Sequence, residues 1–266
     1  MYKFGFIGIG NMGGAIATAV AKAIDPKDIL VCGKGKSRSA SFAGSYGVQA
    51  SNMQTIAKEA KFIVLGVKPQ YMEEVLTAIA PILSGRKDFI LVTMAAGLTM
   101  ENIATMAGGN YPVIRIMPNT PAKVGQGVVQ YCANSSVSAN DLLEFLTAMK
   151  PAGLLDELPE NLIDAGSAVA GCGPAFTCLF MEALADGGVA CGLPRAKALE
   201  YVAQMVLGTA QLLLSTGEHP GTLKDQVCSP GGSTIQGVRT LEVGGLRGTV
   251  IEAVIAAYKR NKEFIK

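Results

Sequence analysis

The sequence predicts an α/β domain with a mostly parallel sheet, followed by a second domain made of helices alone. From the start of the chain to about residue 158, short apolar runs typical of strands alternate with helix-like segments. After residue 159 the strand-like runs disappear and long helical patterns take over. Strands that alternate with helices favour a parallel sheet covered on both faces. We therefore divide the 266 residues into domains 1–158 and 159–266.

The first domain opens with a strand–helix–strand unit of about thirty residues, the length that a βαβ crossover needs. Its strands are the apolar runs at residues 3–9 and 28–32, and the alanine-rich helix between them ends before Pro26. The same patterns predict four more strands and three more helices. The strands are expected at residues 62–67, 89–93, 113–117 and 127–131, and the helices at 70–82, 99–106 and 139–149.

Two long helices are predicted in the second domain, at residues 195–215 and 249–264. The first follows Pro194 and ends before Gly217, and one of its faces is apolar and must pack against something. That face carries Leu199, Val202, Val206 and Leu213. The uncharged stretch 165–181 is short for a membrane span and contains glycine and proline. We expect it in the protein interior or at a subunit interface, with no membrane partner.

Composition excludes several classes of function. The net charge is +2, without a run of like charges, which argues against a nucleic-acid partner or an anionic membrane surface. A strand pattern that begins at Tyr2 predicts no secretory signal, and six cysteines without a C-x-x-C pair predict reduced thiols in a cytoplasmic protein. The single histidine, His219, argues against a histidine metal site or a Ser-His-Asp triad. We expect no metal, and chemistry that is carried by a cofactor.

A glycine-rich turn follows the first predicted strand and opens the first helix. Residues 8–13 read GIGNMG, the G-x-G-x-x-G pattern. In that pattern Gly8 permits a tight turn, Gly10 lets the backbone approach a pyrophosphate, and Gly13 allows close helix–strand packing. The helix N-terminus adds free N–H groups for the phosphates. With strand, helix and second strand all in place, the pattern indicates a Rossmann-type dinucleotide-binding domain. The alternative is a glycine-rich turn in another α/β protein.

The residues after the second strand favour NADP(H) over NAD(H). An NAD site places an acidic residue at this strand end to bind the ribose 2′-hydroxyl, but residues 29–58 contain no Asp or Glu. Lys34, Lys36, Ser37 and Arg38 follow the strand instead, and these side chains suit a 2′-phosphate. The alternative is a solvated basic loop, and NAD(H) stays open as a second cofactor.

Three more loops follow predicted parallel strands, at the edge where open α/β sheets bind ligands. Residues 66–69 (GVKP) and 94–97 (MAAG) are small enough to let backbone approach a ribose or nicotinamide, although both could be ordinary βα turns. Residues 117–121 (MPNTP) form a rigid loop with two prolines. This loop is predicted to present the Asn119 amide and the Thr120 hydroxyl to a carboxamide or a ribose.

In the second domain, residues 229–234 (SPGGST) precede a helical pattern. Consecutive glycines before a helix expose several backbone N–H groups, which could bind a small carboxylate. Ser233 and Thr234 add hydroxyls in the same turn. The alternative is a helix cap without a ligand, and the spacing alone does not decide between them.

Several segments together resemble the pyrroline-5-carboxylate reductase family, over essentially the whole chain. These segments are residues 67–69, 117–121, 170–176 (AGCGPAF), 182–188 (EALADGG), 192–194 (GLP), 219–225 (HPGTLKD) and 229–234. The resemblance implies NAD(P)H-dependent reduction of L-1-pyrroline-5-carboxylate to L-proline, the last step of proline biosynthesis. It also implies a homodimer that interlocks its C-terminal helices, and larger rings such as a homodecamer. The family more often has Ser-Gly-Ser-Gly-Pro at 170–174 and Thr or Ala at Ser233.

The resemblance also implies the site residues. Together with the basic loop, the cofactor site would comprise Gly8, Ile9, Gly10, Asn11, Met12, Gly13, Lys34, Arg38, Asn52, Val67, Lys68, Pro69, Ala95, Ala96 and Asn119. The substrate site would comprise Val227, Ser229, Gly231, Gly232, Ser233 and Thr234. The catalytic hydroxyl, which hydrogen-bonds the ring nitrogen, maps onto Thr234. We expect the active site between Asn119 and Thr234, beside a subunit interface.

Two other functions stay open at this point. A reductase of the same architecture that acts on another imine or on a β-hydroxyacid would retain the first domain but would not need residues 229–234. A β-hydroxyacid enzyme would require a catalytic lysine in its helical domain, where Lys197 and Lys224 are the nearest candidates. A non-catalytic NADP-binding regulator is the third possibility.

Overall fold

The computed structural model describes residues 1–263 of the chain, apart from the side chain of Lys36. The chain folds as two compact units. The first unit contains Met1–Cys172 together with the chain from Ala257 onward, and the second unit is Gly173–Ala256. The two units are described separately below.

The first unit is built on one eight-stranded sheet with the order β3-β2-β1-β4-β5-β6-β7-β8. Strands β1 to β6 are parallel, β7 is antiparallel to β6, and β8 is parallel to β7. The predicted mostly parallel sheet is therefore confirmed. The strands are β1 (Tyr2–Ile7), β2 (Ile29–Cys32), β3 (Gln49–Ala50), β4 (Ala60–Leu65), β5 (Ile90–Thr93), β6 (Val113–Pro118), β7 (Gly127–Ala133) and β8 (Gly153–Glu157).

The sheet is apolar on both faces because helices cover both sides of it. Along β4, Phe62 and Val64 belong to one buried cluster, whereas Ile63 and Leu65 belong to the other. Side chains of a strand alternate between faces, so the two clusters lie on opposite sides of the sheet. Burying each of these side chains stabilises the fold by roughly 2 kcal/mol. The continuous apolar runs that predicted strands are explained by this burial on both faces.

Six helices of the first unit connect these strands, and a seventh follows β8. They are α1 (Asn11–Val20), α2 (Lys36–Tyr46), α3 (Met53–Glu59), α4 (Met72–Leu83), α5 (Met100–Met106), α6 (Ala139–Met149) and α7 (Glu160–Gly166). Helix α2 corrects the interpretation of the basic segment as a loop. Gly35 has φ +93° and precedes the helix, and the Gly33 N–H donates to the Ser39 hydroxyl at 2.9 Å. The segment was not predicted as a helix because it is mostly polar and exposed.

The first unit extends beyond the sequence-based boundary after residue 158. The Arg115 guanidinium on β6 is 2.9 Å from the Asp164 carboxylate and 3.4 Å from Glu160. Arg115 and Asp164 are both buried, so this ion pair fixes α7 to the sheet. A π-helical segment, Ser167–Gly171, follows α7. The first compact unit therefore ends at Cys172, because α7 and the π-helical segment pack on β6 and β7.

The second unit consists of helices, most of whose side chains are exposed. Its helices are α8 (Gly173–Ala190), α9 (Arg195–Thr216), α10 (Pro220–Gln226), α11 (Ser233–Val243) and α12 (Leu246–Glu263). The end of α12 returns to the first unit, where the Asn261 amide donates to the Asp164 carbonyl at 3.3 Å. Helix α12 begins earlier than the predicted 249–264, and residue 264 lies outside the described residues.

The predicted apolar face of α9 is half-covered. Its residues Val202, Val206 and Leu213 are partly buried, and Leu199 is 48% exposed. The helix ends where Gly217 adopts φ +66°, as the glycine predicted. One helical stretch among the described residues, Glu160–Ala190, is long and apolar enough to cross a membrane by length and composition alone. A single stretch of this kind is weak support for a membrane protein.

Candidate active site

The glycine turn after β1 has the close packing that its pattern predicts. Gly8 has φ +102°, and its N–H donates to the Cys32 carbonyl at 2.7 Å. A Cβ at Gly13 would lie 2.0 Å from the Gly8 carbonyl oxygen, and one at Gly8 would lie 2.6 Å from the backbone of Gly66. A Cβ at Gly10 would meet nothing within 4 Å. A side chain at Gly8 or Gly13 would therefore clash with neighbouring backbone, whereas the space beside Gly10 is open. This open space suits a pyrophosphate.

The N-terminus of α1 can accept an anion. Gly10 precedes the helix, its first turn carries no acidic residue, and no described side chain caps it. The first N–H groups of a helix have no acceptor within the helix, and the helix dipole favours negative charge there. Asn11 and Met12 supply such N–H groups, and both residues are at least partly exposed. Ile9 is 3% exposed and packs into the core, so it can offer only its backbone.

A groove of about 330 Å³ runs from this turn between α1 and α2. Arg38 lies on one side of it, and Lys123 reaches it from the 3₁₀ turn after β6. The sequence analysis missed Lys123, although its position in a loop after a parallel strand was a signal that could have identified it. Lys34 is exposed next to the start of α2. The glycine-rich turn and the basic residues after β2 therefore lie together.

Other predicted cofactor residues follow β3, β4 and β5. Asn52 is exposed, and its side-chain oxygen accepts from the Thr55 N–H at 2.8 Å, so it caps α3. The loop after β4 leaves Lys68 exposed and Val67 and Pro69 partly buried. After β5, Ala95 is buried and Ala96 is partly exposed. These loops all lie at the carboxyl edge of the parallel strands, where the strand order reverses between β1 and β4.

Asn119 corrects one prediction. Its side chain is 6% exposed, its amide nitrogen donates to the Ala170 carbonyl at 3.0 Å, and its oxygen accepts from the Val128 N–H at 2.9 Å. Both ends of this amide are therefore engaged by the protein's own backbone. Asn119 connects β6, β7 and the π-helical segment, and does not present its amide to a ribose or carboxamide. Thr120, beside it, is exposed.

The predicted substrate residues form a turn in the second unit. The Gly232 N–H donates to the Ser229 carbonyl at 3.0 Å, and Gly231 has φ +69°. Helix α11 begins at Ser233, two positions before the predicted start, and no described side chain caps it. Thr234 is exposed in its first turn, and so is Val227 ahead of the turn. The arrangement offers free N–H groups and two hydroxyls, which suits a small carboxylate.

The described residues contain no cluster of His, Cys, Asp and Glu that could bind a metal ion. Burial raises the pKa of the Cys32 thiol, partly offset by a hydrogen bond from Met53. Burial, with a contribution from Glu160, raises the pKa of Cys132 to about 11. Both thiols therefore stay protonated at neutral pH and are poor nucleophiles. His219 caps α10, where its Nδ1 accepts from the Gly221 N–H at 3.0 Å.

Comparison with known proteins identifies the family. The family model for pyrroline-5-carboxylate reductase dimerisation matches residues 160–264, and the one for "NADP oxidoreductase coenzyme F420-dependent" matches residues 3–97. The pyrroline-5-carboxylate reductase of Escherichia coli K12 is 39% identical over 99% of this chain and 98% of its own length. The chain belongs to the pyrroline-5-carboxylate reductase family. The resemblance inferred from the motifs is thus confirmed.

Two further comparisons support this family, and a third shows a similar fold in a different enzyme. The pyrroline-5-carboxylate reductase of Synechocystis is 41% identical over 99% of the chain. The crystal structure of Plasmodium falciparum pyrroline carboxylate reductase with NADP bound has a TM-score of 0.90 at 32% identity, covering 100% of this chain and 98% of that one. An NADH-preferring ketol-acid reductoisomerase has a TM-score of 0.63 at 15% identity, which shows a shared fold alone.

Proposed function

We propose that this protein reduces L-1-pyrroline-5-carboxylate to L-proline with NADPH, the last step of proline biosynthesis, in the cytoplasm. The observation that carries the proposal is the identity of 39% with the E. coli reductase over nearly the full length of both chains. The site geometry supports it, because the glycine-rich turn before α1 suits a pyrophosphate and the turn before α11 suits a small carboxylate. The domain roles would be dinucleotide binding by residues 1–158, and substrate binding and dimerisation by residues 159–266.

NADPH would lie along the carboxyl edge of the sheet. The N–H groups of Asn11 and Met12 would hold the pyrophosphate at the N-terminus of α1. Lys34 and Arg38 would bind the 2′-phosphate, which accounts for a preference over NADH. The remaining contacts would come from residues 8–10 and 13, 52, 67–69 and 95–96. Because the Asn119 side chain is buried and engaged, its role would be to position the loop after β6.

The cyclic imine needs little help from acid or base groups. Once the ring nitrogen is protonated, C5 is electrophilic, and the cofactor supplies the hydride that makes proline. The protein then has to hold C5 of the substrate ring in position against the nicotinamide. We propose that the N–H groups of residues 231–234 bind the carboxylate and that Ser229 and Val227 line the ring. The Thr234 hydroxyl would hydrogen-bond the nitrogen as it becomes an amine.

The protein would act as a homodimer joined through the helices of the second unit, with larger rings such as a decamer built from dimers. A groove of about 640 Å³ on this unit supports the proposal, because α8 and α12 line it with exposed apolar side chains. Phe180 on α8 and Val250 on α12 are 40% and 47% exposed. In a dimer, another copy rather than lipid or nucleic acid would cover this surface.

The direct test is NADPH oxidation with pyrroline-5-carboxylate, compared with other imines, keto acids and β-hydroxyacids. We expect turnover to proline at a kcat/KM at least about a hundredfold above that for any other substrate. A preference for another imine or for a β-hydroxyacid would replace the proposed substrate. Binding of NADPH without turnover of any of these compounds would indicate a regulator instead.

Thr234→Ala tests the proposed hydroxyl. We expect kcat to fall about tenfold to hundredfold, because a hydrogen bond to the reacting nitrogen is lost, while the KM for NADPH stays unchanged. Thr240→Ala is the matched control, since Thr240 lies on the same helix with its hydroxyl bonded to the Gln236 carbonyl. Unchanged kcat in Thr234→Ala would show that the hydroxyl has no part in the reaction.

A further inference from the structure

Two loops of the first unit meet through an ammonium and an aromatic ring. The Lys34 ammonium, which follows β2, lies 6.0 Å from the centroid of the Tyr71 ring, which follows β4. In the sheet, β2 and β4 lie on either side of β1. The two side chains therefore come together next to the glycine turn, at the same edge of the sheet as the other cofactor residues.

The Tyr71 ring is presented on a rigid support. It ends the 3₁₀ turn Pro69–Tyr71, in which proline fixes the first φ and the Tyr71 N–H donates to the Lys68 carbonyl at 2.9 Å. The loop before this turn is fixed in turn by the packing of Gly66 against Gly8. Tyr71 is nevertheless 46% exposed, so a large aromatic face is open at this edge. Such a face can stack against the flat ring of a nucleobase.

We propose that Tyr71 stacks on the adenine of NADPH and that Lys34 moves from the Tyr71 ring to the 2′-phosphate when the nucleotide binds. The inference rests on the proposed position of the cofactor along this edge. An adenine and an ammonium compete for the same ring face. A 2′-phosphate gives the displaced ammonium an anion to bind, whereas a 2′-hydroxyl does not. Tyr71 and Lys34 together therefore contribute to the preference for NADPH.

The groove between α1 and α2 offers a competing position for the base. Phe42 and Tyr46 contact each other on α2, with ring centroids 4.6 Å apart, and both line that groove. Tyr46 is 42% exposed, close to the value for Tyr71. This pair lies on α2, whereas Tyr71 lies in the loop after β4. Tyr46 is therefore the matched control for the experiment.

The chain contains no tryptophan, so a single substitution creates an unambiguous reporter. We would prepare Tyr71→Trp and Tyr46→Trp in the full-length protein and measure fluorescence during titration. The ligands are NADP⁺, adenosine 2′,5′-bisphosphate, which lacks nicotinamide, and nicotinamide mononucleotide, which lacks adenine. We expect NADP⁺ and adenosine 2′,5′-bisphosphate to quench Tyr71→Trp, and nicotinamide mononucleotide to leave it unchanged. Quenching of Tyr46→Trp but not of Tyr71→Trp would overturn the inference.

Kinetics supply a second measurement. Tyr71→Ala should raise the KM for NADPH about tenfold through loss of stacking, whereas Tyr71→Phe should retain the wild-type value. Lys34→Gln should raise the KM for NADPH and leave that for NADH unchanged. An unchanged KM in Tyr71→Ala would reject the stacking role while the wild-type enzyme still turns over. Failure of the wild-type protein to bind NADPH at all would instead reject the proposed function.

Discussion

The first unit buries its apolar side chains within itself, whereas the second unit leaves most of them exposed. The sheet carries two large buried clusters, and one of them contains Phe4, Phe62 and Phe145, each at most 1% exposed. Within residues 173–256, all of which the structure describes, the only buried side chains are Ala185 and Ala198. The first unit therefore has the core of an independent domain. The second unit has a large exposed apolar surface, which is typical of a protein–protein interaction site.

This difference separates two sources of stability. Residues 160–264 match the family model for pyrroline-5-carboxylate reductase dimerisation, which supports homo-oligomerisation. We propose that the exposed apolar side chains of the second unit contribute to the interface. Substitutions in the first unit should change its own free energy of unfolding. Substitutions on the apolar faces of the second unit should change assembly first, because in the proposed dimer those side chains would gain most of their burial from another copy.

The largest expected effect comes from a charge on the apolar surface of the second unit. Leu179, which lines the α8 groove, is 66% exposed. Leu179→Glu should convert the oligomer into monomers and abolish most activity, as seen by light scattering after size-exclusion chromatography. Leu143→Glu is the matched control, because Leu143 is 65% exposed on α6 of the first unit. Dissociation of both variants, or of neither, would contradict the claim that the second unit alone provides the apolar oligomer interface.

A buried ion pair of the first unit should show the next largest effect. Asp164→Ala removes the nearer of the two carboxylates beside Arg115, whose guanidinium is 2% exposed, and leaves only Glu160 at 3.4 Å. We expect the free energy of unfolding to fall by about 3 kcal/mol, measured by urea denaturation at fixed protein concentration. The exposed Asp156→Ala should change it by less than about 0.5 kcal/mol. Equal losses in the two variants would show that the ion pair does not secure α7.

The smallest effect should come from a surface ion-pair network. The Lys61 ammonium on β4 lies 2.6 Å from both the Asp141 and the Glu144 carboxylates of α6. Lys61→Met should lower the free energy of unfolding by about 1 kcal/mol at pH 7. Lys58→Met, at an exposed position of α3, is the control. A loss of 3 kcal/mol or more would show that Lys61 also fixes the β4 backbone.

The pH dependence of that variant follows from the pKa shifts. Hydrogen bonds from Lys61 and Ser138 lower the pKa of Asp141 below 3.8, so the stability they give is present above that value and is lost as the pH falls. Burial alone would lower the pKa of Lys61, but its hydrogen bonds to Asp141 and Glu144 raise it above 10.5. The difference between wild type and Lys61→Met should therefore shrink below pH 4 and above pH 10.5.

Local patterns predicted the parts of the fold that local geometry determines. The roles of Gly8 and Gly13 could be predicted because the tight turn follows from a short glycine spacing. The apolar run of β4 likewise predicted a strand, because both of its faces are buried. Strand β8 was not predicted, since its residues GLLDE are largely exposed and carry no apolar run long enough. Helix α2 was missed because its residues are mostly polar.

The role of Asn119 could not be predicted from its neighbours in sequence. Its amide bonds to Ala170, 51 residues away, and nothing in the loop indicates that partner. The contacts that join residues 159–172 to the sheet could not be predicted for the same reason. Arg115 and Asp164 are 49 residues apart, so their ion pair depends on how the chain folds. Residues 229–234 could be predicted as a helix start, but the family resemblance supplied their proposed ligand.

The return of the last helix has a consequence for synthesis. Asn261 contacts Asp164, so residues 173–256 form an insertion within the sequence of the first unit. On the ribosome, residue 261 emerges only after the whole insertion has been made. The nascent first unit can form its Arg115–Asp164 ion pair early. It lacks the end of α12 until the helices of the second unit have been synthesised. The nucleotide-binding unit is therefore completed at the same stage of translation at which the chain becomes able to assemble.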